Sequence, residues 1–262
     1  MARSFAGAGV ALVTPFTKSG ELDEAALRRM VRRQVQNSID VLVPCGTTGE
    51  AVTMTPKEQL RVIEITVEEA AGAVPVLAGT GTNDTRVSIE KSKAAAGAGA
   101  VGVLCVGPYY NKPTPEGFYR HYTAIADASP VPVVVYNVPG RTGSNIDTKT
   151  LLRIATHRNV AAVKEASGNL GQVMEILRDR PSGFQVLSGD DAFAFALMAL
   201  GGEGVISVAA NQVPGEMRDL AAACARGDFA EGCRLHYRLL RLMNVNFLAS
   251  NPQALKELEL LP

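Results

Sequence analysis

Short runs of apolar, often β-branched residues recur about every thirty positions along the chain, and each is followed by an amphipathic stretch. The runs are apolar at nearly every position, which is typical of strands covered on both faces, as in a parallel sheet. They begin at Gly9, Val41, Val74, Gly102, Val131, Val160, Phe184 and Gly204. Eight strand-then-helix units predict an α/β protein with a (β/α)8 TIM barrel, and an open doubly wound sheet is the alternative.

The stretches between these runs have the spacing of amphipathic helices. The clearest is TPKEQLRVIEITVEEA, which starts at Thr55. Thr55 precedes Pro56 and lies three residues before Glu58, the pattern of a capping box that begins a helix. A second stretch, DEAALRRMVRRQVQ from Asp23, predicts another helix.

The chain beyond the eighth run predicts additional helices. Residues 213–250 have the spacing of two of them. We therefore expect a catalytic barrel over residues 1–212 and a C-terminal helical extension over residues 213–262 that packs on the barrel. No low-complexity tract or linker marks a boundary between the two.

Composition and charge narrow the class of partner. The 262 residues include 26 Lys plus Arg and 26 Asp plus Glu. This balance does not favour nucleic acid or a membrane surface and points to a small-molecule substrate. The N-terminus does not resemble a signal peptide and no stretch is long enough to span a bilayer, so we expect a soluble, cytoplasmic protein. Widely spaced cysteines predict reduced core thiols rather than disulfides or a zinc site: Cys45, Cys105, Cys224 and Cys233.

In barrels of this type the reacting groups lie at the carboxyl ends of the strands and in the loops that follow. Polar residues stand at five of these ends. They are Thr47, Thr48 and Glu50 after the second run, Tyr109 and Tyr110 after the fourth, Tyr136 and Arg141 at and after the fifth, Lys164 and Glu165 in the sixth, and Gly189 to Asp191 after the seventh.

Lys164 interrupts the apolar run VAAVKEA. Because side chains alternate along a strand, Lys164 and Glu165 face opposite ways, one into the barrel and one towards the helices. A lysine turned into the barrel loses hydration, which favours the neutral amine that attacks a ketone carbonyl. The alternative is a lysine that reaches solvent from the strand end or pairs with Glu165.

Schiff-base chemistry also needs an acid or base near the carbonyl. Tyr136 ends the run before that of Lys164 and is expected within reach of the same space, although a tyrosine there is more often a core residue with its hydroxyl in solvent. Hydrogen-bonded hydroxyls can pass protons along, and Thr47 and Tyr110 are candidates for such a chain.

Two features suit the binding of carboxylates. Gly46 and Gly49 bracket the two threonines and would let backbone amides approach an anion closely. Arg141 offers planar, bidentate binding to a second carboxylate, although loop arginines are usually solvent-exposed. An amine, a proton relay and two anion sites together predict the condensation of two small acids.

The blocks GTTGE, AGTGTN, PYYNKP, YNVPGRTG, VKEASG, SGDD, GGEGVISV and NFLASNP follow in this order between Gly9 and about Pro252. On these blocks the sequence resembles the dihydrodipicolinate synthase family, within the N-acetylneuraminate lyase superfamily of lysine-dependent aldolases. The resemblance implies condensation of pyruvate with L-aspartate 4-semialdehyde to 4-hydroxy-tetrahydrodipicolinate, the first committed step to diaminopimelate and lysine. It implies that no metal or organic cofactor is needed.

The resemblance also implies a role for each candidate residue. Lys164 would form the Schiff base with pyruvate, and Tyr136 would donate and accept protons. Thr47 and Tyr110 would complete the relay, with Tyr110 supplied by a neighbouring subunit across a tight dimer interface. The expected substrate-binding residues are Thr48, with the backbone near Gly189 and Ile206, for the pyruvate carboxylate, and Arg141 for the carboxylate of the semialdehyde.

Two departures from the family pattern concern assembly and regulation. Relatives usually continue well past the SNP block, so we expect a shortened C-terminal extension and a homodimer, with a homotetramer as the alternative. Lysine-inhibited relatives commonly carry a large polar or aromatic group such as His at the position of Pro56, His at that of Gln59 and Glu at that of Val87. Only Asn83 and Tyr109 match well, which predicts weak or absent inhibition by lysine.

Three other functions remain open from the sequence. A related aldolase acting on a sugar-derived 2-keto acid would share the lysine, but such relatives typically lack an arginine after the fifth strand. A non-catalytic keto-acid-binding barrel would have no reason to keep Lys164, Tyr136, Thr47 and Tyr110 together. A phosphate-binding isomerase would need a glycine-rich loop where this chain has SGDD.

Overall fold

The computed structural model describes residues 4–259 as a sheet of eight parallel strands that alternate with helices. The strands are β1 (Gly7–Ala11), β2 (Val41–Val43), β3 (Leu77–Gly79), β4 (Gly102–Val106), β5 (Val133–Asn137), β6 (Val160–Glu165), β7 (Gln185–Ser188) and β8 (Gly204–Ser207). The helices are α1 (Glu24–Gln36), α2 (Pro56–Ala70), α3 (Thr85–Gly97), α4 (Pro115–Ala128), α5 (Pro139–Thr142), α6 (Thr148–Ala155), α7 (Leu170–Asp179), α8 (Asp191–Ala199), α9 (Pro214–Ala225), α10 (Phe229–Val245) and α11 (Gln253–Glu259).

The sheet closes on itself. Its hydrogen-bonded order is β2-β1-β8-β7-β6-β5-β4-β3, and the two end strands are joined by a parallel bridge between Leu42 and Val76. A hydrogen bond of 2.9 Å from the Gly79 amide to the Pro44 carbonyl extends this junction. The predicted (β/α)8 TIM barrel is therefore confirmed, and the open sheet is excluded.

Four strands begin away from the predicted residue. β5 starts at Val133 rather than Val131, and β7 at Gln185 rather than Phe184. β1 starts at Gly7 rather than Gly9, because Gly7 pairs with Gly204 of β8 and a Cβ on Gly204 would lie 2.1 Å from the Gly7 carbonyl oxygen. Only glycine permits that approach. β3 starts at Leu77 rather than Val74, and Pro75 in between lacks the amide needed for a ladder.

The barrel has an apolar interior and an apolar layer under the helices. Ala162 of β6 lies in the interior cluster, with Leu187 and Ile206, whereas Val163 lies in the layer beneath the helices. By the same alternation Lys164 turns inward and Glu165 turns outward. The strand pattern thus assigns the two charged residues to the two sides of the wall.

Side chains at the helix starts satisfy backbone amides that lack helical partners. At α2 the Glu58 amide donates to the Thr55 hydroxyl and the Thr55 amide donates to the Glu58 carboxylate, at 3.3 and 2.7 Å. The predicted capping box is confirmed. At α1 the Asp23 carboxylate accepts from the Ala26 amide at 2.9 Å.

The chain after β8 packs along and over the barrel. In α9 the side chains of Met217, Leu220 and Ala221 are fully buried in the main core. α10 packs against α8 and α9, and Leu255 of α11 is buried against Val13 and Val208. The division of the chain at residue 212 remains a prediction.

The cysteines are free thiols, as predicted, and Cys45, Cys105 and Cys224 are buried. Between residues 4 and 259, no helix combines the length and the apolar character that a membrane crossing requires.

Candidate active site

Lys164 and Tyr136 lie side by side at the carboxyl end of the barrel. β5 and β6 are hydrogen-bonded neighbours, and Tyr136 is paired with Lys164 in their register. The Lys164 Nζ lies 4.3 Å from the centroid of the Tyr136 ring, and each residue is only 5% exposed. Among residues 4–259 the amine makes no salt bridge or hydrogen bond. A buried amine without an ionic partner is suited to act as a nucleophile.

Gly189 packs against the stem of the same lysine, and Ile206 lies in the barrel interior. A Cβ on Gly189 would lie 3.0 Å from Cε and 3.1 Å from Cγ of Lys164, so this position requires glycine for the lysine stem to pack against it. Ile206 of β8 is buried in the interior cluster that also contains Tyr136. The structure therefore places Gly189 beside Lys164 and Ile206 in the same barrel interior.

A cavity of about 230 Å³ opens at this end of the barrel. It is lined by Thr47, Tyr109, Tyr136, Val138, Arg141 and Thr142, with Cys45, Gly46, Ala51, Val52, Gly79, Thr80, Gly81, Leu104 and Val106. Lys164 does not line it, and its amine is linked to the cavity through the Tyr136 ring. Such a space accommodates molecules of a few carbon atoms.

The two threonines after β2 have different surroundings. Thr47 is half-buried and lines the cavity, whereas Thr48 is 2% exposed and its hydroxyl accepts a 2.9 Å hydrogen bond from Asn251 Nδ2. Of the two glycines that bracket them, Gly49 packs against the backbone beyond β1, with an added Cβ only 3.0 Å from a carbonyl oxygen. Gly46 faces open space, which suits the approach of a ligand.

Arg141 and the segment after α10 meet at the rim of the cavity. Arg141 is exposed, and its Nη2 donates to the Asn251 carbonyl at 3.3 Å. Lys256 of α11 forms a salt bridge with Glu50 in the loop after β2. No local sequence pattern assigns a role to Asn251, which lies 203 positions from Thr48 and is held beside it only by the tertiary fold.

Tyr110 is not brought to the other candidates within one chain. Its side chain is 88% exposed and its φ is 71°, whereas Tyr109, one residue earlier, lines the cavity. Within residues 4–259, no hydrogen bond joins the hydroxyls of Thr47 and Tyr136. One chain thus brings together Lys164, Tyr136 and Thr47, and the role of Tyr110 remains a prediction that needs a second copy.

The other titratable groups near the site have structural surroundings. Burial raises the pKa of the Cys45 thiol to about 12, so this cavity residue stays a thiol at neutral pH and is a poor nucleophile. Asp191 of the SGDD block accepts from the amides of Val208 and Ala209 at 3.0 and 2.9 Å, and burial raises the pKa of its carboxyl. Asp190 caps α8. These groups leave Lys164 as the candidate nucleophile.

Comparison with known sequences gives one consistent result. The model of the dihydrodipicolinate synthetase family matches residues 4–260. A relative from Prosthecochloris aestuarii, named 4-hydroxy-tetrahydrodipicolinate synthase, is 52% identical over 254 residues, which cover 97% of this chain and 86% of the relative.

Solved structures agree with the sequence comparison. The crystal structure of dihydrodipicolinate synthase from Aquifex aeolicus superposes with a TM-score of 0.93 at 42% identity and covers 95% of this chain and 85% of that one. The chloride-inhibited dihydrodipicolinate synthase from Acinetobacter baumannii, complexed with pyruvate, gives a TM-score of 0.95 at 40% identity, covering 97% and 87% of the two chains.

Proposed function

The chain belongs to the dihydrodipicolinate synthetase family, and we propose that Lys164 is the amine through which it works. The enzyme condenses pyruvate with L-aspartate 4-semialdehyde to 4-hydroxy-tetrahydrodipicolinate, in the diaminopimelate route to lysine. The observation that carries the role of Lys164 is the buried amine facing the Tyr136 ring at the carboxyl end of the barrel.

The Lys164 amine attacks the C2 carbonyl of pyruvate, and the resulting carbinolamine loses water to give a cationic iminium. Removal of a proton from C3 gives an enamine, whose C3 forms the new carbon–carbon bond to the aldehyde of the second substrate. The amino group of that substrate then attacks the iminium carbon, closes the ring and releases Lys164 as the free amine. One water leaves overall, and no electron acceptor is required.

Tyr136 donates protons to the reacting groups and accepts protons from them. Its ring lies against the Lys164 amine, so its hydroxyl stands close to the carbonyl that the amine attacks. Thr47 lines the same cavity and is the next hydroxyl towards the solvent. Tyr110 of a second copy would extend this relay, and its exposed side chain supports such a contact.

The two carboxylates bind at different depths. The buried Thr48 hydroxyl, with the backbone of Gly189 and Ile206, holds the carboxylate of pyruvate close to Lys164. The exposed guanidinium of Arg141 at the rim holds the carboxylate of the semialdehyde. This order of depth fits a reaction in which pyruvate is tethered before the second substrate enters.

The active assembly is a homodimer, or a homotetramer built from such dimers. The support is the 88% exposure of Tyr110, a residue of the relay that one chain leaves outside its own cavity. Sedimentation equilibrium would give the mass of the assembly in solution. An active monomer would contradict the proposed contribution of Tyr110.

A comparison of two substrate classes tests the proposed function. Purified enzyme is assayed for condensation of pyruvate with aspartate semialdehyde and, separately, for cleavage of a sugar-derived 2-keto acid to pyruvate. We expect kcat/KM for condensation to exceed that for cleavage by at least about tenfold, because Arg141 supplies one charge-assisted pair to the semialdehyde carboxylate. A preference for the sugar acid would overturn the proposal.

A further inference from the structure

Glu165 is a buried carboxyl group on the outer side of β6, directly after Lys164. It is 3% exposed, and within the described chain no lysine or arginine pairs with it. Its oxygens accept from the Ser167 amide at 2.7 Å, from Asn137 Nδ2 at 3.0 Å and from Gln172 Nε2 at 3.4 Å. Every partner is an N–H donor, which suits a carboxylate that accepts on both oxygens.

Asn137 directly follows Tyr136 on β5, just as Glu165 directly follows Lys164 on β6. In the ladder between β5 and β6, Tyr136 pairs with Lys164 and, one rung further, Asn137 pairs with Glu165. The first pair faces the barrel interior and consists of the amine and the phenol. The second pair faces the helices and consists of a hydrogen-bonded side-chain amide and a carboxyl group. Because successive side chains alternate between faces, holding the Asn137–Glu165 pair in place also holds the direction and register of Tyr136 and Lys164.

The same network holds the segment that returns from Arg141. The Ile146 amide donates to Asn137 Oδ1 at 3.0 Å, and Asn137 Nδ2 donates to Asn145 Oδ1 at 2.8 Å. Asn145 Nδ2 in turn donates to Gln172 Oε1 of α7 at 2.8 Å. The strand of Tyr136, the strand of Lys164 and the loop of Arg141 are therefore tied together behind the cavity wall.

We propose that Glu165 is a positioning residue, which acts from behind the barrel wall to aim the Lys164 amine and to hold Tyr136 and the Arg141 loop around it. The proposal rests on the proposed function, since it needs Lys164 as the nucleophile. Glu165 is the acceptor shared by donors on β5, α7 and the loop after β6. Without it, these buried N–H groups lose their common partner and the end of β6 shifts.

Glu165→Gln is the direct test, because it keeps the shape but sets an NH2 group against N–H donors. We expect kcat to fall about 100-fold, as for a displacement of about 1 Å at a reacting group. The rate of Schiff-base formation with pyruvate in a single turnover should fall by the same factor, while KM for pyruvate changes less than about threefold.

Asn159 supplies the matched control at the other end of β6. Its Nδ2 donates to the carbonyls of Ala126, Ser129 and Val131 at 2.9, 2.9 and 3.2 Å. Asn159→Ala breaks a polar clamp on the same strand far from the cavity, so it should lower Tm and leave kcat within about twofold. If Glu165→Gln retains wild-type kcat, or loses it only in proportion to a Tm loss shared by Asn159→Ala, the proposal is overturned.

Gln172→Met is a second test of the proposal, to be used if Glu165→Gln does not fold. This change removes the longest of the contacts to Glu165 and is expected to lower kcat several-fold in the same direction; an unchanged kcat would count against the network. Failure of the proposed function has a different signature, since wild-type enzyme would then form no reducible adduct between Lys164 and pyruvate.

Discussion

The amino and carboxyl ends of the barrel are built from the same strands, but the carboxyl end keeps polar atoms without a partner beside its hydrogen-bonded network. At the amino end, Arg180 forms a 2.6 Å salt bridge with Glu203, and the side-chain Nδ2 of Asn159 donates to three backbone carbonyls. At the carboxyl end, the amine of the buried residue Lys164 makes no hydrogen bond or salt bridge among residues 4–259, and Asp191 Oδ1 is buried without a hydrogen-bond partner.

This contrast separates stability from chemistry. A satisfied polar group contributes to the stability of the fold, whereas a buried group without a partner lowers it and remains available to react. In (β/α)8 enzymes the loops at the carboxyl end carry the reacting groups, and the amino end can be optimised for stability alone. Changes at the two ends should therefore affect different measurements.

The largest effect is expected for Lys164→Ala at the carboxyl end. Loss of the nucleophile should lower kcat/KM for condensation by at least about 1,000-fold. Tm should stay level or rise, because a buried amine without a partner is removed. Steady-state kinetics and calorimetry measure the two quantities, and activity within tenfold of wild type would contradict the account.

Tyr136→Phe should give the next largest effect. The ring that packs against the Lys164 amine stays, but the hydroxyl is lost, so kcat should fall about 100- to 1,000-fold. Tyr122→Phe is the matched control, since the Tyr122 hydroxyl donates to the Cys105 carbonyl at 3.1 Å outside the cavity. Equal losses of kcat in the two variants would show that the Tyr136 hydroxyl has no special role.

The stability of the fold should fall at acid pH because the imidazole of His121 is buried. His121 accepts or donates one 2.9 Å hydrogen bond with Thr85, and burial lowers the pKa of its imidazole from 6.5 to about 4. The folded state resists protonation, so its stability is complete above about pH 6.5 and declines as the pH falls towards 4.

The free energy of unfolding should fall by about 3 kcal/mol through His121 alone when the pH reaches about 4. Urea unfolding of wild type and His121→Gln between pH 4 and 7 measures it. The variant should show the shallower dependence on pH, and parallel profiles would contradict the assignment to His121.

Arg141→Lys should affect one substrate only. The lysine keeps the charge but loses the bidentate geometry, so KM for aspartate semialdehyde should rise about tenfold. Formation of the Schiff base with pyruvate should not change. An equal effect on both substrates would place Arg141 at the pyruvate step instead.

The smallest effect is expected at the amino end. Glu203→Gln weakens the pair with Arg180 and should lower the free energy of unfolding by about 1 kcal/mol, or Tm by about 2–4 °C. kcat should be unchanged at temperatures where the variant is folded. A fall in kcat beyond about threefold there would break the contrast between the two ends.

The parts of the fold that the sequence could predict follow from local rules. Alternation along β6 was enough to place Lys164 and Glu165 on opposite faces, and the spacing of Thr55 and Glu58 was enough to predict the start of α2. Each depends on neighbours within a few residues, whose geometry is fixed by the backbone.

Other features depend on contacts between distant residues. Asn251 reaches Thr48 only because the segment after α10 crosses the barrel end. The left-handed backbone in the loop after β2 falls on Cys45 and Glu50, at φ of 57° and 53°, rather than on a neighbouring glycine. Tertiary packing imposes these conformations against local preference, so the pattern of residue types could not reveal them.

Borohydride reduction of the enzyme in the presence of pyruvate, followed by mass mapping of peptides, tests the role of Lys164 most directly. Lys91 is an internal control, because burial lowers the pKa of its amine. We expect pyruvate to add to the peptide containing Lys164 and to no other lysine. Addition at Lys91, or turnover without any adduct at Lys164, would contradict the proposed role of Lys164.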